Sequence, residues 1–217
     1  KIKLGVFNKK KCQLASLEIL NRFEKTGLKF EIRGLNILKE IKSPVIFIGN
    51  HMSMIETLVL PGILMEYVDL AIVAKGELAK YYLFSDILKF INTIFISRQN
   101  IKDDLKTMIC ESETLIKKGN SILIFPQSTR CKDFNPYQFR KIGLKIACNN
   151  KIPIIPIAIK SDAWEFGKLF KDFGKFNVRK KVYIEFGVPI LPLKYCSTYQ
   201  NSIIKFISDK LIEWNKD

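Results

Sequence analysis

The sequence predicts a single α/β domain with a largely parallel sheet flanked by helices, preceded by an N-terminal helix. Short β-branched apolar runs recur along the chain, and amphipathic stretches separate them. No internal repeat, low-complexity segment or linker interrupts that alternation. At 217 residues the chain suits one domain with a substantial core, and 47% hydrophobic against 26% charged residues excludes disorder.

The elements follow in order. The segment 11-KCQLASLEILNRFEKTG-27 has the composition of a helix ahead of the first strand. Strands are predicted at 45-VIFIGN-50, 70-LAIVAK-75, 93-TIFISR-98, 121-SILIFP-126, 154-IIPIAIK-160 and 181-KVYIEFG-187. The runs 45–48 and 122–125 are apolar at every position, the pattern of a strand buried on both faces. In 101–119, Ile101, Leu105, Met108, Ile109, Leu115 and Ile116 recur at helical spacing, and Gly119 supplies a C-terminal cap. Further helices are predicted over 139–149 and 200–215.

Lys and Arg total 36 against 21 Asp and Glu, a formal net charge of +15. Such a chain is drawn to polyanions: nucleic acid, anionic lipid headgroups or phosphorylated substrates. A lysine-rich solvated surface is the bland alternative. Cys12, Cys110, Cys131, Cys148 and Cys196 are odd in number and scattered without a C-x-x-C pair. That argues against a disulfide framework and a zinc site, and for a reducing compartment. No uninterrupted run of about 18 apolar residues, the length that spans a bilayer, occurs in the sequence, so contact with a membrane is expected at its surface. The chain opens on Lys1 rather than Met, which leaves room for an N-terminal anchor ahead of it.

His51, the one histidine, directly follows an apolar strand, where α/β sheets collect their ligands. Glu56 lies five residues on. Along a continuous helix that spacing turns the two side chains about 140° apart, so they meet only if His51 precedes the helix and Glu56 lies in its first turn. Ser53 as N-cap gives that arrangement, with Glu56 third in the helix. A carboxylate on one ring nitrogen leaves the other free as a base. The same residues also read as a capping box, Ser53-Met54-Ile55-Glu56, which needs no catalysis.

Arg130, with Ser128 and Thr129 in 125-FPQSTR-130, offers a fork of donors beside hydroxyls, suited to a phosphate or carboxylate. Arg98 ends one strand and Lys75 another. Parallel strands would bring all three cations to the edge that carries His51, as an anion pocket.

These blocks resemble the glycerophospholipid acyltransferase family, which includes the 1-acylglycerol-3-phosphate acyltransferases. Its N-H-x-x-x-x-D block corresponds to 50-NHMSMIE-56, and its apolar strand ending in Arg to 95-FISR-98. Its F-P-E-G-T-R block corresponds to 125-FPQSTR-130, and its V-P-I-x-P-like strand to 152-IPIIPIAI-159. The likeness runs from about residue 29 to 190 with order and spacing kept. It implies His51 as general base and Glu56 as its orienting carboxylate. Lys75, Arg98 and Arg130 would hold the acceptor's phosphate, with Asn50, Gln127, Ser128 and Thr129 lining the substrate pocket. The donor would be acyl-CoA or acyl-carrier protein, with no metal or other cofactor and no acyl-enzyme. The acceptor would be a lysophospholipid, foremost 1-acylglycerol-3-phosphate. Three residues depart from the pattern: Glu56 for Asp, Gln127 for Glu and Ser128 for Gly. They put the acceptor in question and leave base and carboxylate chemically intact.

On this resemblance residues 1–28 form an N-terminal helical segment, read as a membrane-associating part open to truncation, and 29–217 the acyltransferase domain. The aromatic and lysine-rich stretches 77–95 and 163–176 suit either a headgroup boundary or ordinary burial. The expected partners are lysophospholipid, acyl thioester and an anionic membrane surface on the cytoplasmic face. A nucleic-acid binder is the less favoured alternative, because no zinc finger, phosphate loop or RNP-type motif accompanies the charge. A member that binds lipid without catalysis is the other.

Overall fold

The computed structural model describes residues 9–77, 91–127, 129–167, 174–192 and 196–216. The chain runs α1 (Lys9–Lys25), β1 (Phe30–Arg33), α2 (Leu35–Lys39), β2 (Ile46–Gly49), α3 (Ile55–Leu64), β3 (Leu70–Lys75) and β4 (Asn92–Ile96). It continues through α4 (Ile101–Lys117), β5 (Ser121–Ile124), α5 (Ile142–Asn150), β6 (Ile154–Lys160), β7 (Val182–Phe186) and α6 (Cys196–Trp214). All six strands expected from the sequence are present. The short β1 and α2 carry too little periodicity to be read in advance.

The strands form one seven-stranded sheet in the order β1-β7-β6-β2-β5-β3-β4. From β6 to β4 every pairing is parallel, while β7 runs antiparallel to β6 and carries β1 parallel beside it. Successive side chains of a strand point to opposite faces, and each face is covered. Phe47, Leu123, Ile155, Ile157 and Ile159 pack with Val59, Leu60 and Leu64 of α3 and Cys12 of α1. Ile46, Ile48, Ile122, Ile124 and Ile154 pack with Ile116, Ile146, Ile203 and Ile207 from α4, α5 and α6. Burial on both faces is why the central strands read as unbroken apolar runs.

Local chemistry fixes the helices. Pro61 lacks an N–H and interrupts the ladder of α3. Beside it, Ser16 of α1 donates to the Leu58 carbonyl at 2.5 Å and accepts from Gly62 N–H at 2.9 Å. A Cβ on Gly62 would lie 2.7 Å from that hydroxyl, so glycine permits the close approach of α1. Asn100 caps α4 by accepting from Lys102 N–H, and Gly119 ends it at φ +89°, as expected. One expectation is corrected. Cys148 is disulfide-bonded, whereas Cys12, Cys110 and Cys131 are free thiols. No helix among the described residues is long and apolar enough to cross a membrane. Residues 78–90 and 168–173, within the two aromatic stretches, lie outside the described residues.

Candidate active site

Register sets the heights of the strand ends. Ile48 of β2 is level with Ile124 of β5, Ile72 of β3 with Leu123, and Lys75 with Ile96 of β4. His51, Lys75, Arg98, Gln127 and Arg130 therefore all emerge at one edge of the sheet, a few residues past those pairs. Laterally they are spread. β3 is two places from β2 and β4 three, so at about 4.8 Å per place Arg98 starts about 14 Å from the histidine's strand. Arg130, on the loop after the adjacent β5, starts nearer.

His51 precedes α3 in an irregular turn, and its Nδ1 lies 3.0 Å from Glu56 Oε1. The glutamate is fully buried and the imidazole keeps 18% side-chain exposure. Oε1 also accepts from the N–H groups of Met52 at 2.5 Å and Ser53 at 2.7 Å. Oε2 accepts from Ser161 Oγ at 2.5 Å, and Ser53 Oγ lies 3.0 Å away. Burial by itself would push this carboxyl up. The hydrogen bond and charge of His51 and the donors of Ser161 and Ser53 outweigh it, so Glu56 is held below the usual range. An ionised carboxylate accepts only, so Nδ1 carries the proton. Nε2 makes no hydrogen bond among the described residues and is available as a base.

Dyad and cap thus coexist. The Glu56 bond to Ser53 N–H is the capping-box bond, made by the same oxygen that faces His51. The helix itself starts one residue later than expected, with Met54 in the N-cap place and Glu56 second. Ser53 Oγ accepts instead from Ile55 N–H at 3.0 Å.

Phe125 carries a contact that the sequence did not disclose. Its ring stacks on the imidazole at 4.3 Å between centroids and 11° between planes. That stacking fixes the ring plane. Gln127 Oε1 accepts from His51 N–H at 2.8 Å, and Cys131 N–H donates to the His51 carbonyl at 2.9 Å. The Gln127 Nε2 group is buried and has no partner among the described residues.

Other expected site residues divide. Asn50 has a bracing place. It is buried, donates to the Ile159 carbonyl at 2.7 Å and accepts from Ile159 N–H at 2.8 Å. It therefore braces the end of β2 against β6 next to His51. Arg98 and Thr129 are exposed, Arg130 is half-buried, and Lys75 pairs with Glu77. Ser128 lies outside the described residues. No group of His, Cys, Asp and Glu suited to a metal occurs among the described residues.

A family model described as Acyltransferase matches residues 29–160, more than half of the chain. The chain belongs to the Acyltransferase family. A probable 1-acyl-sn-glycerol-3-phosphate acyltransferase of Mycoplasma genitalium is 32% identical over 178 residues, covering 77% of this chain and 66% of its own length. The Pseudomonas aeruginosa 1-acyl-sn-glycerol-3-phosphate acyltransferase is 33% identical over 132 residues, covering 61% of this chain and 49% of its own length. The chain thus spans between about half and two thirds of these relatives. The crystal structure of the 1-acyl-sn-glycerophosphate acyltransferase from Thermotoga maritima has the same fold. Its TM-score is 0.74 at 20% identity, covering 96% of this chain and 80% of that one.

Proposed function

We propose that this family member transfers a fatty acyl group from a thioester, acyl-CoA or acyl-carrier protein, to the free hydroxyl of a lysophospholipid, foremost 1-acylglycerol-3-phosphate. The observation that carries the reading is the His51–Glu56 pair, 3.0 Å apart with the carboxylate fully buried, where the parallel strands end. The relatives' names support the choice of acceptor.

In the reaction, His51 Nε2 takes the hydroxyl proton as that oxygen attacks the thioester carbonyl carbon. Glu56 holds Nδ1–H and offsets the imidazolium charge, and the stacked Phe125 ring fixes the plane of the imidazole. The tetrahedral intermediate then collapses. The carbon–sulfur bond breaks, the thiolate takes the proton back from His51, and ester and thiol leave. Because the donor is already activated as a thioester, a base and an anion clamp suffice without a cofactor. Lys75, Arg98 and Arg130 clamp the acceptor's phosphate, reaching inward from their strand ends, while Gln127 and Thr129 border it. The +15 charge holds the protein on the anionic, cytoplasmic face of a membrane rather than on nucleic acid.

The test is purified chain with radiolabelled acyl-CoA or acyl-carrier protein against a panel of lysolipids on anionic vesicles. Transfer to 1-acylglycerol-3-phosphate, reduced about 10²–10⁴-fold in His51→Ala at unchanged fold, is the expected result. A His51→Ala variant within about threefold of wild type would overturn the mechanism.

A further inference from the structure

Glu56 is gripped from two directions. Four of its donors, His51 Nδ1, the N–H groups of Met52 and Ser53, and Ser53 Oγ, belong to the turn that leads into its own helix. The fifth is Ser161 Oγ, from the residue after β6, 105 positions away in sequence. Ser161 is fully buried, and its backbone N–H meets Met52 Sδ at 3.3 Å. Its hydroxyl also lies 2.9 Å from Ser53 Oγ, closing a small ring of hydroxyls on Oε2. Among the described residues nothing else outside 51–56 holds the carboxylate.

The structure assigns Ser161 as the positioning residue of the dyad: its hydroxyl ties Glu56 to the sheet and thereby sets the tautomer and direction of the His51 ring. A carboxylate offers about four lone-pair sites; the three donors on Oε1 and the Ser161 hydroxyl on Oε2 fill them and fix its rotation, while the one Ser53 hydroxyl proton is shared between Oε2 and Ser161 Oγ. Without Ser161 the Oε2 side keeps Ser53 alone. The carboxylate then turns toward its remaining donors, and the Nδ1 contact, longer than the 2.5 Å and 2.7 Å backbone bonds on the same oxygen, is the one that loosens.

The inference rests on the proposed transfer reaction for its kinetic arm only. Because His51 is the chain's one histidine, ring ¹⁵N NMR of histidine-labelled protein reports the dyad without any substrate. Wild type should show the Nδ1–H tautomer near neutral pH. Ser161→Ala should show a mixed population, with kcat for acyl transfer down about tenfold or more and KM within about twofold, as for the loss of a hydrogen bond to a charged group. Ser161→Thr, which keeps the hydroxyl, should recover the wild-type tautomer. Ser161→Cys keeps the shape with a weak donor and should resemble Ala; it decides the matter if the alanine variant does not fold. A merely structural serine would leave the tautomer unchanged, and a wild-type tautomer in the folded Ala or Cys variant overturns the assignment. If the tautomer shifts while no lysolipid is acylated even by wild type, the reaction is wrong and the role of Ser161 stands.

Discussion

Asp104 holds Arg98 by its backbone. Its Oδ2 accepts from Arg98 N–H at 2.7 Å, while Oδ1 accepts from Ser97 N–H at 2.7 Å and Ser97 Oγ at 3.0 Å. Arg98 sits at φ +60°, a left-handed conformation rare for a residue with a side chain. Holding a non-glycine residue there costs about 1–3 kcal/mol. Hydrogen bonds to an ionised group contribute about 1.5–3 kcal/mol each, so the two N–H bonds outweigh the strain. The first turn of α4 therefore aims an arginine that the turn alone would release.

Asp104→Asn should raise KM for a phosphate-bearing acceptor several-fold, with kcat nearly unchanged, because it frees the arginine's loop without touching the dyad. It should also lower stability by about 1–3 kcal/mol. Acceptor kinetics and urea denaturation check both. Unchanged KM would mean that Arg98 does not meet the acceptor.

Arg130→Ala should weaken use of the same acceptor, chiefly through KM where the contact is equal in ground and transition states. Arg130→Lys should restore only part, since a bidentate fork becomes a point charge. Comparing acceptors with and without a terminal phosphate isolates the effect.

Glu56→Gln separates the two duties of one side chain. The amide oxygen still accepts from Met52 and Ser53 N–H, and its NH₂ can donate to the serine hydroxyls. Thermal melting should thus show a modest loss, about 1 kcal/mol or less. The amide cannot offset an imidazolium, so kcat should fall by orders of magnitude. Retained activity would make Glu56 a cap alone.

Acid stability should follow Glu56 and Asp104. For both, burial pushes the carboxyl up, and hydrogen bonds with nearby charge outweigh it: from His51, Ser161 and Ser53 on Glu56, and from Ser97 and Arg98 on Asp104. Both end below their ordinary values, so near those values the unfolded chain binds more protons and stability rises with pH. The contribution is complete above the unfolded pKa values of about 4.3 and 3.9, and is lost as pH falls through the lower folded values. The stability gap between wild type and Glu56→Gln should therefore narrow steadily below about pH 4. Melting curves measured from pH 7 to pH 3 test the sign.

The sequence by itself determined the alternation of strands and helices, because burial on both faces leaves apolar runs and helical faces leave a period. It also admitted a contact between His51 and Glu56, since five residues across a helix start allow it, beside a capping-box reading that the structure shows coexisting with that contact. Only the tertiary structure decided which strands adjoin. Placing β6 beside β2 brings Ser161 to Glu56 and turns Asn50 inward onto Ile159, 109 residues distant. The reversal of β7, the stacking of Phe125 on the imidazole and the left-handed turn of Arg98 were equally illegible. Periodicity and spacing report contacts within a turn or two of chain. Strand order and register are settled by how both faces of the sheet bury their side chains together, which no local pattern encodes.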